Sequence, residues 1–292
     1  MSKKVITSYK AFDKNMQCRG FQYEVGKEYE MDGEIECCNR GFHACKSPIE
    51  VWNYYDMLNS RYAEVEQSGK IEKEENSTKV CSSHIKIKAE LKLADIINIG
   101  VEWLKDITSP SKVKADGVLN DNGDIRKQIG SSGDYAKIGS SGESAQIGSS
   151  GNSAQIGSSG DYAKIGSSGD SAQIGSSGDY AKIGSSGDYD KIGSSGYSAQ
   201  IGSSGYSAQI GSSGDYAQID STGEDSVIMC AGNSSRAKAK VGSWITLAEW
   251  KWSYEKKRDV PVCVKTEYVD GDNIKADTWY QLKNRKFVEV TE

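Results

Sequence analysis

The chain has 292 residues, a hydrophobic fraction of 36% and a formal net charge of −5. This length leaves room for one to three domains, and so small a net charge excludes a protein that relies on strong overall charge to find its partner. The charge is unevenly spread, because residues 129–228 carry 11 acidic and 4 basic side chains, whereas residues 229–292 carry 12 basic and 9 acidic ones. The acidic segment is a repeat, so we expect no direct nucleic-acid binding through it.

The sequence gives no clear sign of a membrane-spanning segment or of disulfide bonds. No apolar run reaches the length that spans a bilayer, and the opening "MSKKVITSYKAF" lacks the apolar core of a signal peptide. We therefore expect a cytoplasmic protein with no membrane partner. The seven cysteines are an odd number, which in a cytoplasmic chain favours buried thiols over a disulfide framework.

Residues 1–118 predict a small α+β domain. The segments "VITSYKAF", "FQYEVGKEYE" and "HIKIKAEL" have the composition or alternation of strands, and "LADIINIGVEWLKDI" has helical spacing of its apolar residues. The segment "SPIEVWNYY" predicts a helix start, with Ser47 as N-cap, Pro48 in the first turn and Glu50 completing a capping box.

One cluster in this domain could carry chemistry. Cys37, Cys38, His43 and Cys45, together with Cys18, raise the alternatives of a zinc site and a Cys/His nucleophile pair. Their spacing matches no standard zinc pattern, and Cys37 and Cys38 would face opposite sides of a strand. We therefore predict packed thiols, with no metal, no cofactor and no catalytic residue.

Residues 119–236 form a nine-residue repeat, and a short fixed period predicts stacked identical units in a parallel β-solenoid. Isoleucine recurs at Ile129, Ile138, Ile147, Ile156, Ile165, Ile174, Ile183, Ile192, Ile201, Ile210, Ile219 and Ile228. We divide each unit into a turn, "GSSGD", and a strand, "YAKI" or "SAQI". Ala136 and Ile138 would then face inward, and Tyr135 and Lys137 outward.

The number of faces follows from the core. Two units per turn would give a flattened roll, and three would give a triangular prism; the thin Ala and Ile filling favours two. Bare ends of such a rod would expose unpaired strand edges. We therefore expect the N-terminal helix region to close one end and residues 237–292 to form a β-rich cap at the other. In that cap, "SWITLAEWKW", "VPVCVKTEYV" and "KFVEV" alternate like strands and "DGDN" supplies a turn.

Asp190 breaks the repeat, because it stands where other units have the inward alanine. An unpaired buried carboxylate is costly. Three alternatives remain: the strand bulges and turns Asp190 outward, the carboxylate is paired inside with turn hydroxyls, or the rod opens at that coil.

Two ligand classes known for β-rolls do not fit this repeat. Calcium-binding nonapeptides place their aspartate one position later, and Asn152, Tyr197 and Tyr206 replace the acidic residue in some units. Ice-binding faces need a ladder of small hydroxyls, usually threonine, whereas Thr222 is the only threonine in the repeat. We expect neither calcium nor ice binding.

The outward tyrosines and the acidic turn residues are the candidate partner-binding positions, since exposed tyrosine is enriched in interfaces. The alternative is that the tyrosines lie flat and only cover backbone. The candidates are Asp134, Tyr135, Asp161, Tyr162, Asp179, Tyr180, Tyr189, Asp190, Tyr197, Tyr206 and Tyr216.

The phrases "CRGFQYEVGKEYE" and "GFHACKSPIEVWNYY", the nonapeptides and the closing "IKADTWYQL…KFVEV" together resemble an uncharacterised family common in phages, prophages and gut bacteria. Its members join such an N-terminal domain to repeats of the type "NTGDYSAAT". The resemblance covers nearly the whole chain and implies a mobile-element origin, in the cytoplasm of a bacterial host. It implies no catalytic residues.

These observations predict a non-enzymatic protein-binding solenoid that inhibits a host defence nuclease or another DNA-binding enzyme, as in anti-CRISPR activity. Acidic β-helical rods resemble duplex DNA in width and charge, although lysines make the mimicry partial here. Two alternatives remain: a structural module that forms homo-oligomers through its tyrosine faces, and an enzyme housed in residues 1–115.

Overall fold

The computed structural model describes residues 5–74, 77–108, 118–120 and 127–291. The chain divides into two compact units, residues 1–103 and 104–292. The predicted fold class is confirmed: the protein is mainly β, with a central solenoid, a small N-terminal region of strands and one α-helix, and β-strands at the C-terminus. Among the residues described, no helix is long and apolar enough to cross a membrane.

The N-terminal elements are β1 (Ile6–Phe12), β2 (Gln17–Cys18), β3 (Phe21–Gln22), β4 (Glu28–Glu30), β5 (Phe42–Cys45), a 3-10 helix (Pro48–Asn53), β6 (Arg61–Lys73), β7 (Lys79–Leu91) and α1 (Leu93–Thr108). Five of the strands form one antiparallel sheet in the order β4-β7-β5-β1-β6, and a further pairing of β6 with β7 closes it into a small ring. The strands β2 and β3 pair in a separate two-stranded sheet. Phe12, Phe42, Val65, Ile85 and Ile87 lie in the core of the five-stranded sheet.

The predicted capping box is wrong. Pro48–Asn53 is a 3-10 helix, and the Ser47 side chain makes no capping hydrogen bond. The Glu50 carboxylate instead accepts hydrogen bonds from the hydroxyls of Ser77 and Thr78 and from the Thr78 N–H. Glu50 is buried, so its carboxylate needs hydrogen-bond donors, and Ser77 and Thr78 supply them. Contacts with residues distant in the sequence therefore stabilise this segment, rather than a local cap.

The solenoid consists of two parallel sheets, as the two-faced prediction requires, and 18 residues make one coil. Isoleucines pair in register, as Ile156 does with Ile138 and Ile174. The first sheet contains β8 (Val118–Asn120), β10 (Lys137–Ser140), β12 (Gln155–Ser158), β14 (Gln173–Ser176), β16 (Lys191–Ser194), β18 (Gln209–Ser212) and β20 (Val227–Cys230). The second contains β9 (Gln128–Ser131), β11 (Gln146–Ser149), β13 (Lys164–Ser167), β15 (Lys182–Ser185), β17 (Gln200–Ser203), β19 (Gln218–Ser221) and β21 (Arg236–Ala239).

The division of the unit differs from the prediction. The strand is Lys/Gln-Ile-Gly-Ser, and tyrosine lies in the turn with a positive φ, 57° at Tyr135. Ala136 and Ile138 do point inward and Tyr135 and Lys137 outward, as predicted. Ser140 also points inward, so the inward side chains of one unit are alanine, isoleucine and serine. The strand itself starts one residue after the alanine.

The glycine of each turn is required by packing between coils. A Cβ built on Gly178 would overlap the carbonyl oxygen of Gly160 in the preceding coil. The glycine of the strand is different, because a Cβ on Gly175 would meet no atom within 4 Å. Close backbone stacking therefore explains one of the two glycines in each unit, and the structure gives no steric reason for the other on the first sheet.

The C-terminal strands cap the solenoid by extending each sheet with an antiparallel hairpin. β22 (Trp244–Ser253) and β23 (Arg258–Tyr268) continue the first sheet, and β24 (Tyr280–Lys283) and β25 (Lys286–Glu289) continue the second. Ile274 and Leu282 join the same apolar core as the repeat isoleucines. The helix of the N-terminal region is present as α1, and its expected role of closing the other end of the solenoid stays a prediction.

Candidate functional site

The aspartates after the second glycine of the solenoid turns have a backbone role that the sequence did not reveal. Asp161 Oδ1 accepts a hydrogen bond of 2.8 Å from the N–H of Asp179, the equivalent residue one coil on. Asp179 Oδ1 does the same for Tyr197 N–H at 2.7 Å. Asn152 performs this role for Asp170, so an amide oxygen suffices. The aspartates remain exposed while they link successive turns into a ladder.

The tyrosine that follows is locked by the same ladder. The N–H of Tyr180 donates to the carbonyl of Tyr197 in the next coil at 2.8 Å, and Tyr180 has φ 56°. Serine occupies the same left-handed position in other units, for example Ser198 with φ 53°. The backbone conformation at this position is therefore the same for tyrosine and for serine, and either side chain lies at the edge of the solenoid.

Four tyrosines make a continuous column along the edge that leads from the first sheet to the second; we call Tyr162, Tyr180, Tyr197 and Tyr216 the tyrosine column. The rings of Tyr162 and Tyr180 are stacked, with centroids 5.1 Å apart and planes inclined by 6°. Tyr180 contacts Tyr197 at 5.6 Å, and Tyr197 contacts Tyr216 at 5.2 Å. All four are 40–49% exposed, so about half of each side chain is accessible to a partner.

The opposite edge carries fewer aromatic contacts. Tyr189 and Tyr206 meet edge to face with centroids 5.9 Å apart. Tyr135, 70% exposed, has no ring contact within the described part of the chain, and Asp134 beside it caps the N–H of Asn152. The predicted site residues therefore divide between two edges, apart from Asp190, and their role in binding a partner stays a prediction.

Asp190 is fully buried, so the bulged and opened alternatives are wrong and internal pairing is confirmed. Its carboxylate accepts a hydrogen bond from the Ser185 hydroxyl and another, of 2.7 Å, from the N–H of Ala172. Ser235, also at an alanine position, accepts the N–H of Ala217 in the same way. Burial nevertheless raises the pKa of Asp190 to about 7, because these two bonds only partly offset the loss of water.

A second candidate lies in the N-terminal domain, where β1, β5, the segment 18–31 and the 3-10 helix enclose a cleft of about 920 Å³. Phe21, Tyr23, Tyr29 and Phe42 contribute to its lining and form a mutual aromatic cluster, with the Phe21 and Tyr23 centroids 4.8 Å apart. Phe21 is half exposed, whereas Tyr23 and Phe42 are buried. The aromatic wall thus runs from solvent into the domain.

Lys10 reaches this cleft from β1 and is 5% exposed. Its Nζ donates to the His43 carbonyl at 2.8 Å and contacts Cys18 Sγ at 3.5 Å. The rings of Phe12 and Tyr23 lie 5.5 and 5.4 Å from Nζ. Burial lowers the pKa of Lys10, and no carboxylate is among the groups that act on it. The domain therefore buries a cation without an acidic counter-ion.

The cysteines and histidine of the cluster come together, but not as a nucleophile pair. Cys38 lies in a turn, with φ 72°, rather than on a strand, and its N–H donates to His43 Nε2 at 2.9 Å. His43 also hydrogen-bonds the backbone of Gly41. Both ring nitrogens thus serve the backbone, and burial lowers the pKa of His43 to about 4, so it is a neutral structural residue.

The Cys38 thiol has different neighbours. Lys79 Nζ lies 2.9 Å from Cys38 Sγ and also pairs with Glu74 at 3.5 Å. Cys45 is buried, and burial raises the pKa of its thiol, which keeps that thiol protonated. Across the residues that the structure describes, no group of three or more His, Cys, Asp or Glu side chains could hold a metal ion.

The sequence analysis missed Lys10, although a signal was present. In "SYKAF", Ser8, Lys10 and Phe12 share one face of the strand, and Phe12 marks that face as the buried one. A lysine between two inward positions indicates either an internal ion pair or a ligand.

Residues 6–99 match a family described as a domain of unknown function, DUF7666. This match contains the whole cleft and ends before the repeat. Neither the curated proteins nor the solved structures include a match to the chain.

Proposed function

We propose that the protein is a non-enzymatic binding protein of a phage or another mobile element, and that the tyrosine column docks a host protein. The observation that carries the proposal is the unbroken contact of Tyr162, Tyr180, Tyr197 and Tyr216 over successive coils. Tyrosine offers large contact area with few rotatable bonds, and these rings already contact one another, so binding costs little ordering.

The charge of this edge supports a basic partner surface. Asp161, Asp179 and Asp215 are exposed beside the tyrosine column, and each carboxylate also accepts a backbone N–H of the next coil. An enzyme that binds DNA has such a basic surface, and a defence nuclease is one. Successive acids stand one coil apart, about 4.8 Å, compared with about 3.4 Å per phosphate along one DNA strand, so the mimicry is partial.

The proposal is tested by capture from a bacterial host lysate followed by an assay of CRISPR or restriction interference. The informative variant is Tyr180→Ser combined with Tyr197→Asp, since serine and aspartate are the residues that other units carry there. Tyr135→Ser on the opposite edge is the matched control. We expect the wild type and the control to capture a host enzyme and lower interference, and the double variant to do neither.

Two results would contradict the proposal. Intact interference with no captured enzyme for the wild type removes it outright. A dimer that light scattering detects in the wild type and not in the double variant, without any captured host protein, would instead assign the tyrosine column to pairing between copies of this chain.

A further inference from the structure

We propose that the N-terminal cleft binds a small organic anion with a planar aromatic body, of the class of nucleoside monophosphates, and that Lys10 and Arg19 hold its phosphate. This site is separate from the tyrosine column, and it does not depend on the function proposed for the solenoid.

The cleft has the size and lining of a ligand site. Its volume of about 920 Å³ lies at the upper end of the range of small-molecule pockets. One wall is the aromatic cluster of Phe21, Tyr23, Tyr29 and Phe42. Aromatic side chains bind planar rings by stacking. The wall therefore selects a ligand with a flat ring.

The charges of the cleft select an anion. Lys10 is buried with no acidic partner, and Arg19 lines the same cleft with no ion pair in the described part of the chain. The charge of Arg19 acts on both Lys10 and His43, and all three residues line the same cleft. A buried cation is costly unless it is paired, and an entering phosphate supplies the missing partner.

The acids of the cleft do not fill that role. Glu28 lines the cleft but pairs with Lys86 at 2.6 Å. Glu30 also lines it, yet it is not among the groups that act on Lys10. Of the other lining cations, Lys79 is engaged by Cys38 and Glu74, and Arg40 donates to the carbonyl of Asp32 at 2.6 Å. Lys10 is the buried cation among them and Arg19 is the one whose charge acts on it, so we assign the phosphate to this pair.

The aromatic and cationic features lie next to each other. Lys10 Nζ is 5.4 Å from the centre of the Tyr23 ring, and Tyr23 contacts Phe21 and Tyr29. A ligand whose phosphate meets Lys10 would therefore place its ring beside the aromatic wall. Inorganic phosphate would satisfy the cations alone, and a nucleoside would satisfy the wall alone.

Titration calorimetry on the full chain tests the proposal with the four ribonucleoside 5′-monophosphates and phenyl phosphate, and with adenosine and inorganic phosphate as half-ligands. We expect at least one aromatic phosphate to bind at least tenfold more tightly than either half-ligand. Lys10→Met and Arg19→Gln should each weaken that binding at least tenfold. Lys88→Met is the control, because Lys88 is exposed and pairs with Glu66 outside the cleft.

Arg19 is exposed, so Arg19→Gln keeps the test decisive even if Lys10→Met fails to fold. Failure of every aromatic phosphate to bind the wild type overturns the proposal. Equal binding of inorganic phosphate and of the aromatic phosphates overturns its aromatic part. Binding that neither variant weakens overturns the assignment of the phosphate to Lys10 and Arg19. None of these results bears on the capture of a host protein by the tyrosine column.

Discussion

Both units of the chain bury a charged side chain, and they surround it differently. In the solenoid, Asp190 fills a slot where Ser185 and the N–H of Ala172 meet both carboxylate oxygens. In the N-terminal domain, Lys10 donates to a carbonyl and a thiol, faces a cleft and finds no carboxylate. Every coil of a repeat offers the same hydrogen-bond donors, so these donors can satisfy a carboxylate that replaces the inward alanine. A non-repeating domain can leave a charge open to a ligand.

The largest expected effect is that of buried Asp190 on the stability of the protein. Its folded-state pKa is raised from about 3.8 to about 7. The folded protein therefore holds more protons than the unfolded chain between these values, and its stability falls as the pH rises through that window. At about 1.4 kcal/mol for each pH unit, the ionised form costs roughly 4 kcal/mol above pH 7.

Asp190→Ser removes the charge and keeps an oxygen for Ala172, as Ser235 does for Ala217. We expect this variant to be more stable than the wild type at pH 8 and to lose most of the difference at pH 4. Thermal unfolding between pH 4 and 8 measures it. Parallel pH profiles for the two proteins would show that Asp190 does not titrate in this range.

The next effect tests the close packing of coils, which the N-terminal domain does not share. Gly178→Ala forces a shift in the stacked backbone and should cost about 1–3 kcal/mol. Gly175→Ala is the matched control in the same unit, and we expect it to be neutral or stabilising by about 0.5–1 kcal/mol. Chemical denaturation compares the two, and equal losses would refute the distinction between these glycines.

A smaller effect tests the acidic ladder. Asp179→Ala leaves the N–H of Tyr197 without its acceptor and should cost about 0.5–1.5 kcal/mol. Asp179→Asn should be nearly neutral, since Asn152 already caps an N–H in this way. Hydrogen exchange at Tyr197 reports the bond directly. If Asn is as damaging as Ala, the charge rather than the acceptor matters to the fold.

The smallest effect is expected in the N-terminal domain. Lys10→Met loses a hydrogen bond to the His43 carbonyl but removes an unpaired charge, so the stability should change by less than about 1 kcal/mol. Thermal unfolding of the ligand-free protein measures it. A loss of several kcal/mol would mean that the contacts of Lys10 stabilise the fold, and the interpretation of Lys10 as a charge left open to a ligand would fail.

Some features of the repeat could be predicted from the sequence, and others could not. The nine-residue period and the inward direction of Ala136 and Ile138 followed from the repeat itself, because alternation along a strand is a local property. The placement of Tyr135 on a strand was wrong, since the same alternation continues to Ser140 and does not say where the strand begins. The left-handed turn is set by hydrogen bonds between coils 18 residues apart.

The candidate sites divide in the same way. The tyrosine positions could be listed from the sequence, but Tyr197 joins Tyr180 and Tyr216 in one column only because alternate units share an edge. The Glu50 capping box failed because Ser77 and Thr78 offer donors that a local motif cannot anticipate. The cleft needs β1, β5 and the segment 18–31 to meet, and only then does Lys10 acquire aromatic neighbours.

The sequence by itself determined a mainly β chain, a solenoid of two faces and the identity of its core, because a fixed period repeats one local solution at every coil. The tertiary structure alone decided which groups meet across coils or across the N-terminal sheet. Asp190 and Lys10 are both charged residues at inward positions, and sequence cannot separate them. The difference is physical: hydrogen-bond donors from the preceding coil and from the same coil reach Asp190, whereas an open cleft lies beside Lys10.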